Sequence, residues 1–266
     1  MRVRVASGGW CSCEHGPVSE ALPAPAGVEL LETRRLRLVE AAAPRIPPDE
    51  QAAVNRAWDE AVRANPALFD GPAVSCAGLR RDDPDGLVIM WARTTYRLHA
   101  LRRVPGAAVW LPSLFVNVVQ PTDDGRLLVV RMSSWTAAPG RWQLPGGSAE
   151  PPEDDGLLDT AALRRHATRE LAEEIGADTA PDELTLWLVI RDEGGSAGVL
   201  FLAPPRPAPF LHERFADLVA SETALGRDPE LDRITLVRSP AELARLSGPH
   251  ADYLEPVVRR YAARRS

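Results

Sequence analysis

The sequence predicts an α/β (α+β) fold in which strand pairs are interleaved with single helices. Three observations predict it. Apolar runs rich in Val, Ile, Leu and Trp recur in pairs around Asp, Pro and Gly turns: "AVSCAGLR" with "GLVIMWARTTYRLHAL", "VWLPSLFVNVVQ" with "RLLVVRM", and "ELTLWLVIRDE" with "GVLFLAP". A single helical segment, ending "RELAEEIGA", separates the second pair from the third. The strict βαβ alternation and glycine fingerprint of a doubly wound dinucleotide-binding fold are missing.

In chain order, residues 1–27 are rich in Gly, Pro and Ala and are expected to be poorly ordered. "VELLETRRLRLVEAAA", 28–43, suits a strand around Leu36, Leu38 and Glu40. Asp49 is the expected N-cap of "EQAAVNRAWDEAVRAN", whose Val54, Trp58 and Val62 form a stripe for burial. Each of the three strand pairs is expected to be an antiparallel hairpin. Beyond them come a helix at about 211–224, a strand at "DRITLVR", and helices from about 240 and 250. The expected organisation is a disordered 1–27, an α+β extension over 28–108, and a main domain over 109–266.

Composition narrows the function. Among 266 residues all 31 basic ones are arginine, so a Walker A loop and a Schiff-base mechanism, which both need lysine, are excluded. A net charge of −6 gives no general electrostatic case for nucleic acid or an anionic membrane as partner. No apolar run approaches the roughly 20 residues of a membrane span. The start, "MRVRVASGGWCSCEHG", lacks the apolar core of a secretory signal, so a cytoplasmic protein is expected. Cys11, Cys13 and His15 have no second Cys/His pair to complete a tetrahedral metal site. "GGSAG", 194–198, meets the G-x-S-x-G serine-hydrolase pattern, but strand-like runs flank it on both sides, which makes it a hairpin turn.

The chemistry concentrates in "RELAEEIG", 169–176. At about 100° per residue, Glu173 and Glu174 fall within about 60° of Glu170 on either side, while Leu171 and Ile175 form an adjoining apolar stripe. Arg169 stands four residues before Glu173 and can pair with it. Three carboxylates on one helix edge repel unless a cation lies between them, and oxygen-only ligands suit Mg²⁺ or Mn²⁺. Upstream, "GRWQLPGG", 140–147, ends in a Gly-Gly pair that lets backbone approach a metal or phosphate. His166, on the same helix, is expected on its surface.

The stretch from Gly146 to Ala177, "GGSAEPPE…RELAEEIGA", resembles the Nudix box, G-x5-E-x7-R-E-U-x-E-E-x-G-U, where U is a bulky apolar residue. Gly147 and Glu153 match its first half, and Arg169, Glu170, Leu171, Glu173, Glu174 and Gly176 its second. Ala177 is a small stand-in at the end. Fifteen residues separate Glu153 from Arg169 where the pattern has seven, an insertion of eight that places Asp159 or Thr160 as N-cap of the box helix.

The resemblance implies a Nudix-type α/β/α sandwich with a mixed sheet. It also implies Mg²⁺-dependent hydrolysis (with Mn²⁺ as the other metal) of a nucleoside diphosphate linked to a group X. By position it makes Gly147, Glu170, Glu173 and Glu174 the metal ligands. It leaves the base open among the glutamates, Glu153 included, and gives Arg169 the task of fixing their geometry. "NPALFDGP" (65–72), "WARTTYRLH" (91–99), "IRDEGGSAGVLFL" and "RDPELDRITLV" are similar to segments of the mammalian Nudix hydrolases that cleave UDP-glucose and UDP-galactose, whose products would be UMP and a sugar 1-phosphate. ADP-ribose, a dinucleotide or coenzyme A are the rival substrates. A non-catalytic nucleotide sensor on the same fold is the rival class. Arg141 and Arg131 are candidate phosphate ligands, Tyr96 and Trp142 (with Trp135) candidate base stackers, and Asn117 a candidate reader of a base edge.

Overall fold

The computed structural model describes residue 22 and residues 25–66, 68–98, 111–152 and 156–264. Ten strands and five α-helices are assigned among them. In chain order they are β1 (Glu29–Glu32), β2 (Arg35–Glu40), α1 (Pro48–Ala64), β3 (Pro72–Asp83), β4 (Gly86–Thr95), β5 (Leu114–Val119), β6 (Leu127–Met132), β7 (Trp142–Gln143), α2 (Thr160–Ile175), β8 (Thr185–Arg191), β9 (Ala197–Leu202), α3 (Ala208–Ala224), β10 (Leu231–Val237), α4 (Pro240–Leu243) and α5 (Leu254–Ala263).

Three sheets result, in the orders β1-β8-β9-β5, β10-β6-β7 and β2-β4-β3. β5 runs parallel to β9 and β2 parallel to β4, while the other pairs are antiparallel, so the fold is mixed α+β.

The central strands are apolar at most positions because both faces are covered. On β6, Leu128 and Val130 enter one core with Leu163, Ala167, Leu171 and Ile175 of α2 and Leu211 of α3. Leu127 and Val129, pointing the other way, enter a second core with Leu254, Val257, Val258 and Tyr261 of α5. Helices therefore lie on both sides of the strands, the predicted sandwich.

The extension contributes to the same interior. Val74, Cys76, Leu79, Leu87, Ile89 and Trp91 of β3 and β4 belong to the core beneath α2. β1 pairs with β8, fastened by Arg191, whose guanidinium donates to Glu29 Oε2 at 2.8 Å and to the Leu22 carbonyl at 3.0 Å.

Three sequence expectations are corrected. Residues 28–43 form two strands in two sheets, because Thr33 donates its hydroxyl to the carbonyls of Arg35 and Asp85 and turns the chain. β5 and β6 are not a hairpin. One edge of β5 is taken by β9 and the other by the Pro145–Gly147 backbone, so β6 pairs with β10 and β7 instead. α1 is capped at Pro47 and begins at Pro48, whose fixed φ suits the first turn, leaving Asp49 inside that turn. The turn joining β8 to β9 is the hairpin expected of "GGSAG". Among the described residues no helix is long and apolar enough to cross a membrane. Cys11, Cys13, His15 and nearly all of the expected disordered segment 1–27 lie outside the described residues.

Candidate active site

The site forms where α2 lies against the loop entering from β7. Asp159 caps α2 by accepting from the Ala162 N–H at 2.7 Å, and Gly176 closes it at φ 72°, a conformation glycine adopts without strain. His166, Glu170 and Glu174 are four residues apart and so share one stripe of the helix.

The loop is tied to β5. Val118 N–H donates to the Pro145 carbonyl and Val116 N–H to the Gly147 carbonyl, each at 2.9 Å. Its two glycines are required by contact. A Cβ on Gly146 would stand 2.1 Å from the Val116 carbonyl oxygen, and one on Gly147 would stand 2.6 Å from Glu170 Oε1. The Gly146 N–H donates to Glu174 Oε2 at 2.7 Å. Helix and loop thus meet through two carboxylate-to-glycine contacts.

The carboxylates differ in environment. Glu174 is 7% exposed, and burial first, then the charge of Glu170, holds its carboxyl well above the usual range against the pull of the Gly146 N–H. Glu173 faces solvent, yet partial burial and Glu170 also raise it. Glu170 Oε1 is hydrogen bonded to Nε2 of His166 at 2.7 Å. Glu230, just before β10, is the fourth member: burial, then Glu170 and Glu173, raise it too. Arg169 donates to Glu150 at 3.0 Å and stands 3.9 Å from Glu173, so its tighter partner is one the box does not name.

Mutual repulsion among oxygen donors is the condition a hard divalent cation relieves, so the donor chemistry fits Mg²⁺ or Mn²⁺. The side chains are not gathered around one point: among the described residues no group of three or more His, Cys, Asp or Glu is close enough to hold a metal. Glu170 is turned to His166, Glu174 to Gly146, and Glu173 outward.

Beside the loop lies a cavity of about 630 Å³ whose wall includes Gly146, Gly147, Glu230, Arg141 and Gln143. Glu230 lines it, whereas Glu170 and Glu174 stand behind Gly147 and Gly146.

Of the residues singled out for substrate, Arg141 reaches the cavity with one guanidinium nitrogen on Gln143 Oε1 at 2.8 Å. Tyr96 lines it as well, packed edge-to-face on Trp58. Asn117 borders it but is 3% exposed and commits its Nδ2 to the carbonyls of Leu144 and Pro145, bracing the loop rather than presenting its amide to the cavity. Trp142 is core rather than cavity. It is 2% exposed, its indole N–H donates to the Ser247 carbonyl, and the guanidinium of Arg131 lies over its ring. Arg131 is engaged by both oxygens of Asp232, at 2.7 and 2.8 Å. Glu153 lies outside the described residues.

Sequence reasoning missed Glu230 and placed His166 on the helix surface, where the structure buries it at 6% exposure. The signal for Glu230 was its position at the head of the strand "DRITLV". The signal for His166 was its spacing of four from Glu170.

The family model described as NUDIX domain matches residues 113–261, more than half of the chain. No curated protein matches. The solved structures similar to it include a MutT protein from Methanosarcina mazei Go1, 18% identical over 58% of this chain and 96% of that one, with a TM-score of 0.40. A NUDIX hydrolase from Alicyclobacillus acidocaldarius is 21% identical over 59% and 93%, with a TM-score of 0.39. The NUDIX domain of Shewanella oneidensis NrtR, complexed with ADP ribose, is 18% identical over 65% and 99%, with a TM-score of 0.38. On the family match over residues 113–261, with the box glutamates seated against the Gly-Gly loop, this chain belongs to the Nudix family.

Proposed function

We propose that the protein is a divalent-metal-dependent pyrophosphatase that hydrolyses a nucleoside diphosphate linked to X, with a UDP-sugar as the substrate class. The observation that carries the reading is the seating of Glu170 and Glu174 on Gly147 and Gly146, beside a cavity lined by Arg141 and Glu230. The UDP-sugar assignment is supported by "NPALFDGP" and "WARTTYRLH", which bring Phe69 and Tyr96 to the same cavity.

Glu170, Glu173 and Glu174, with the Gly147 carbonyl, would hold Mg²⁺ or Mn²⁺; the Gly147 oxygen keeps a second lone pair beyond its bond to Val116. Bound there, the cation supplies neutralisation of diphosphate charge and a more acidic water. Arg141 offers donors to phosphate oxygens, and its bond to Gln143 fixes the guanidinium plane. Glu230 faces the cavity with its proton affinity raised, the direction a general base working near neutral pH requires. Water adds to one phosphorus as its proton passes to the base, the phosphoanhydride P–O bond breaks, and a UDP-sugar leaves as UMP and sugar 1-phosphate. The extension over 28–108 serves as the substrate-side wall.

The test is a panel of UDP-glucose, other nucleotide sugars, ADP-ribose, diadenosine polyphosphates and coenzyme A, run with Mg²⁺ or Mn²⁺ beside Glu174→Gln, with products identified by mass. UMP plus hexose 1-phosphate, abolished in the variant, is the expected outcome. Preference for another anhydride would remove the UDP-sugar assignment and keep the chemistry. Tight binding without any turnover would make the protein a sensor.

A further inference from the structure

Among the described residues five large apolar side chains are exposed, and two of them, Phe69 at 76% and Trp135 at 38%, line the cavity that adjoins Gly146 and Gly147. We infer that these two rings form the seat for the planar base of the nucleotide, so that the extension completes a substrate site opened by the Nudix core. The inference rests on the nucleotide reading above and names residues that the box does not contain.

The ring of Trp135 is held in place. The indole N–H of Trp135 donates to the Pro229 carbonyl at 3.2 Å, immediately before Glu230. Ser133 reinforces that attachment, its hydroxyl donating to the Pro229 carbonyl at 2.7 Å and its N–H to the Glu230 carbonyl at 2.8 Å. From the other side, Asn65 Nδ2 at the end of α1 donates to the Trp135 carbonyl at 2.6 Å. That bond latches the extension to the loop carrying the ring. Phe69 lies four residues further on, its ring against Gly71, where an added Cβ would come within 3.1 Å of it.

An exposed aromatic ring on a braced loop has already lost the freedom that binding would otherwise cost, and every nucleobase presents a π-face to it. The phosphate end of a ligand is set by Arg141 and the glycine loop, which leaves the aromatic end for the base. The cavity's about 630 Å³ lies in the range of small-molecule sites.

The experiment measures binding to the full chain by calorimetry, with UMP and AMP as base-bearing probes and glucose 1-phosphate and ribose 5-phosphate as probes without a base. Wild type, Phe69→Ala, Trp135→Ala and Phe69→Tyr are compared, each checked for unchanged thermal melting. We expect each alanine variant to weaken binding of the preferred nucleotide about tenfold, Phe69→Tyr to restore it, and sugar phosphates to be indifferent. In turnover, KM should rise by a similar factor with a smaller effect on kcat. Unchanged nucleotide affinity and KM in both alanine variants, or no nucleotide binding to wild type, would overturn the seat. So would an equal loss for the sugar phosphates, which would place X there. Ring-dependent nucleotide binding without hydrolysis would keep the seat and remove the hydrolase, whereas hydrolysis indifferent to both rings would do the reverse.

Discussion

The backbone N–H of Gly146 donates to Oε2 of Glu174 at 2.7 Å, joining positions 28 residues apart and burying a carboxyl group beside the charge of Glu170. Helix α2 is held to the glycine loop by that bond and by the contact of Glu170 with Gly147, so the spacing of the box becomes the shape of the site.

Gly147→Ala should cost activity far more than stability. Its Cβ would fall 2.6 Å from Glu170 Oε1, and displacing a catalytic group by about 1 Å can cost on the order of 100-fold. Gly140→Ala is the control. Its Cβ meets nothing within 4 Å, and the strain of its φ of 68° should appear in the melting temperature rather than in kcat. Equal kinetic losses in the two variants would remove the role given to Gly147.

Burial and neighbouring carboxylates raise Glu174 in the folded state above its unfolded value of about 4.5. A raised carboxyl stabilises the fold fully below its unfolded pKa and loses that contribution as pH rises through the folded one. Metal-free wild type should therefore lose stability from about pH 4.5 upward relative to Glu174→Gln, which keeps an acceptor for Gly146 without the charge. At neutral pH the variant should melt higher, by about 2–4 °C for each kcal/mol relieved. Parallel melting curves across pH would contradict the buried-charge account.

Divalent cation should reverse that order. Saturating Mg²⁺ or Mn²⁺ should stabilise wild type through preferential binding to the folded chain, by about 2.7 kcal/mol at 100 times Kd, and so raise its melting temperature. Glu170→Gln should abolish most of the rise. A full rise in that variant would move the metal away from α2.

Trp142→Phe should be a stability variant only. The ring is 2% exposed and its N–H bonds to the Ser247 carbonyl, so the loss should be about 1–3 kcal/mol with KM unchanged. A rise in KM at constant stability would return Trp142 to the substrate.

Much of this site is local and therefore legible in one dimension. The helical period places Glu170, Glu173 and Glu174 on one edge, and Asp159 was open to reading as an N-cap because its side chain bonds three residues ahead. Strand pairs with short turns, such as β3–β4 and β8–β9, were legible for the same reason. The pairing of β5 with β9 was not, since the choice between edges depends on what else competes for them.

The sequence by itself determined which carboxylates share one edge of α2 and in what order, because helix geometry is fixed by hydrogen bonds four residues long. Only the tertiary structure decided which of them meet. Glu230 joins the box glutamates from the far end of the chain, Trp142 goes into the core while Trp135 stays at the cavity, and Asn65 of the extension fastens the Trp135 loop. Those outcomes rest on which apolar faces are buried together and which backbone edges are already paired, and both are properties of the assembled fold rather than of any one segment.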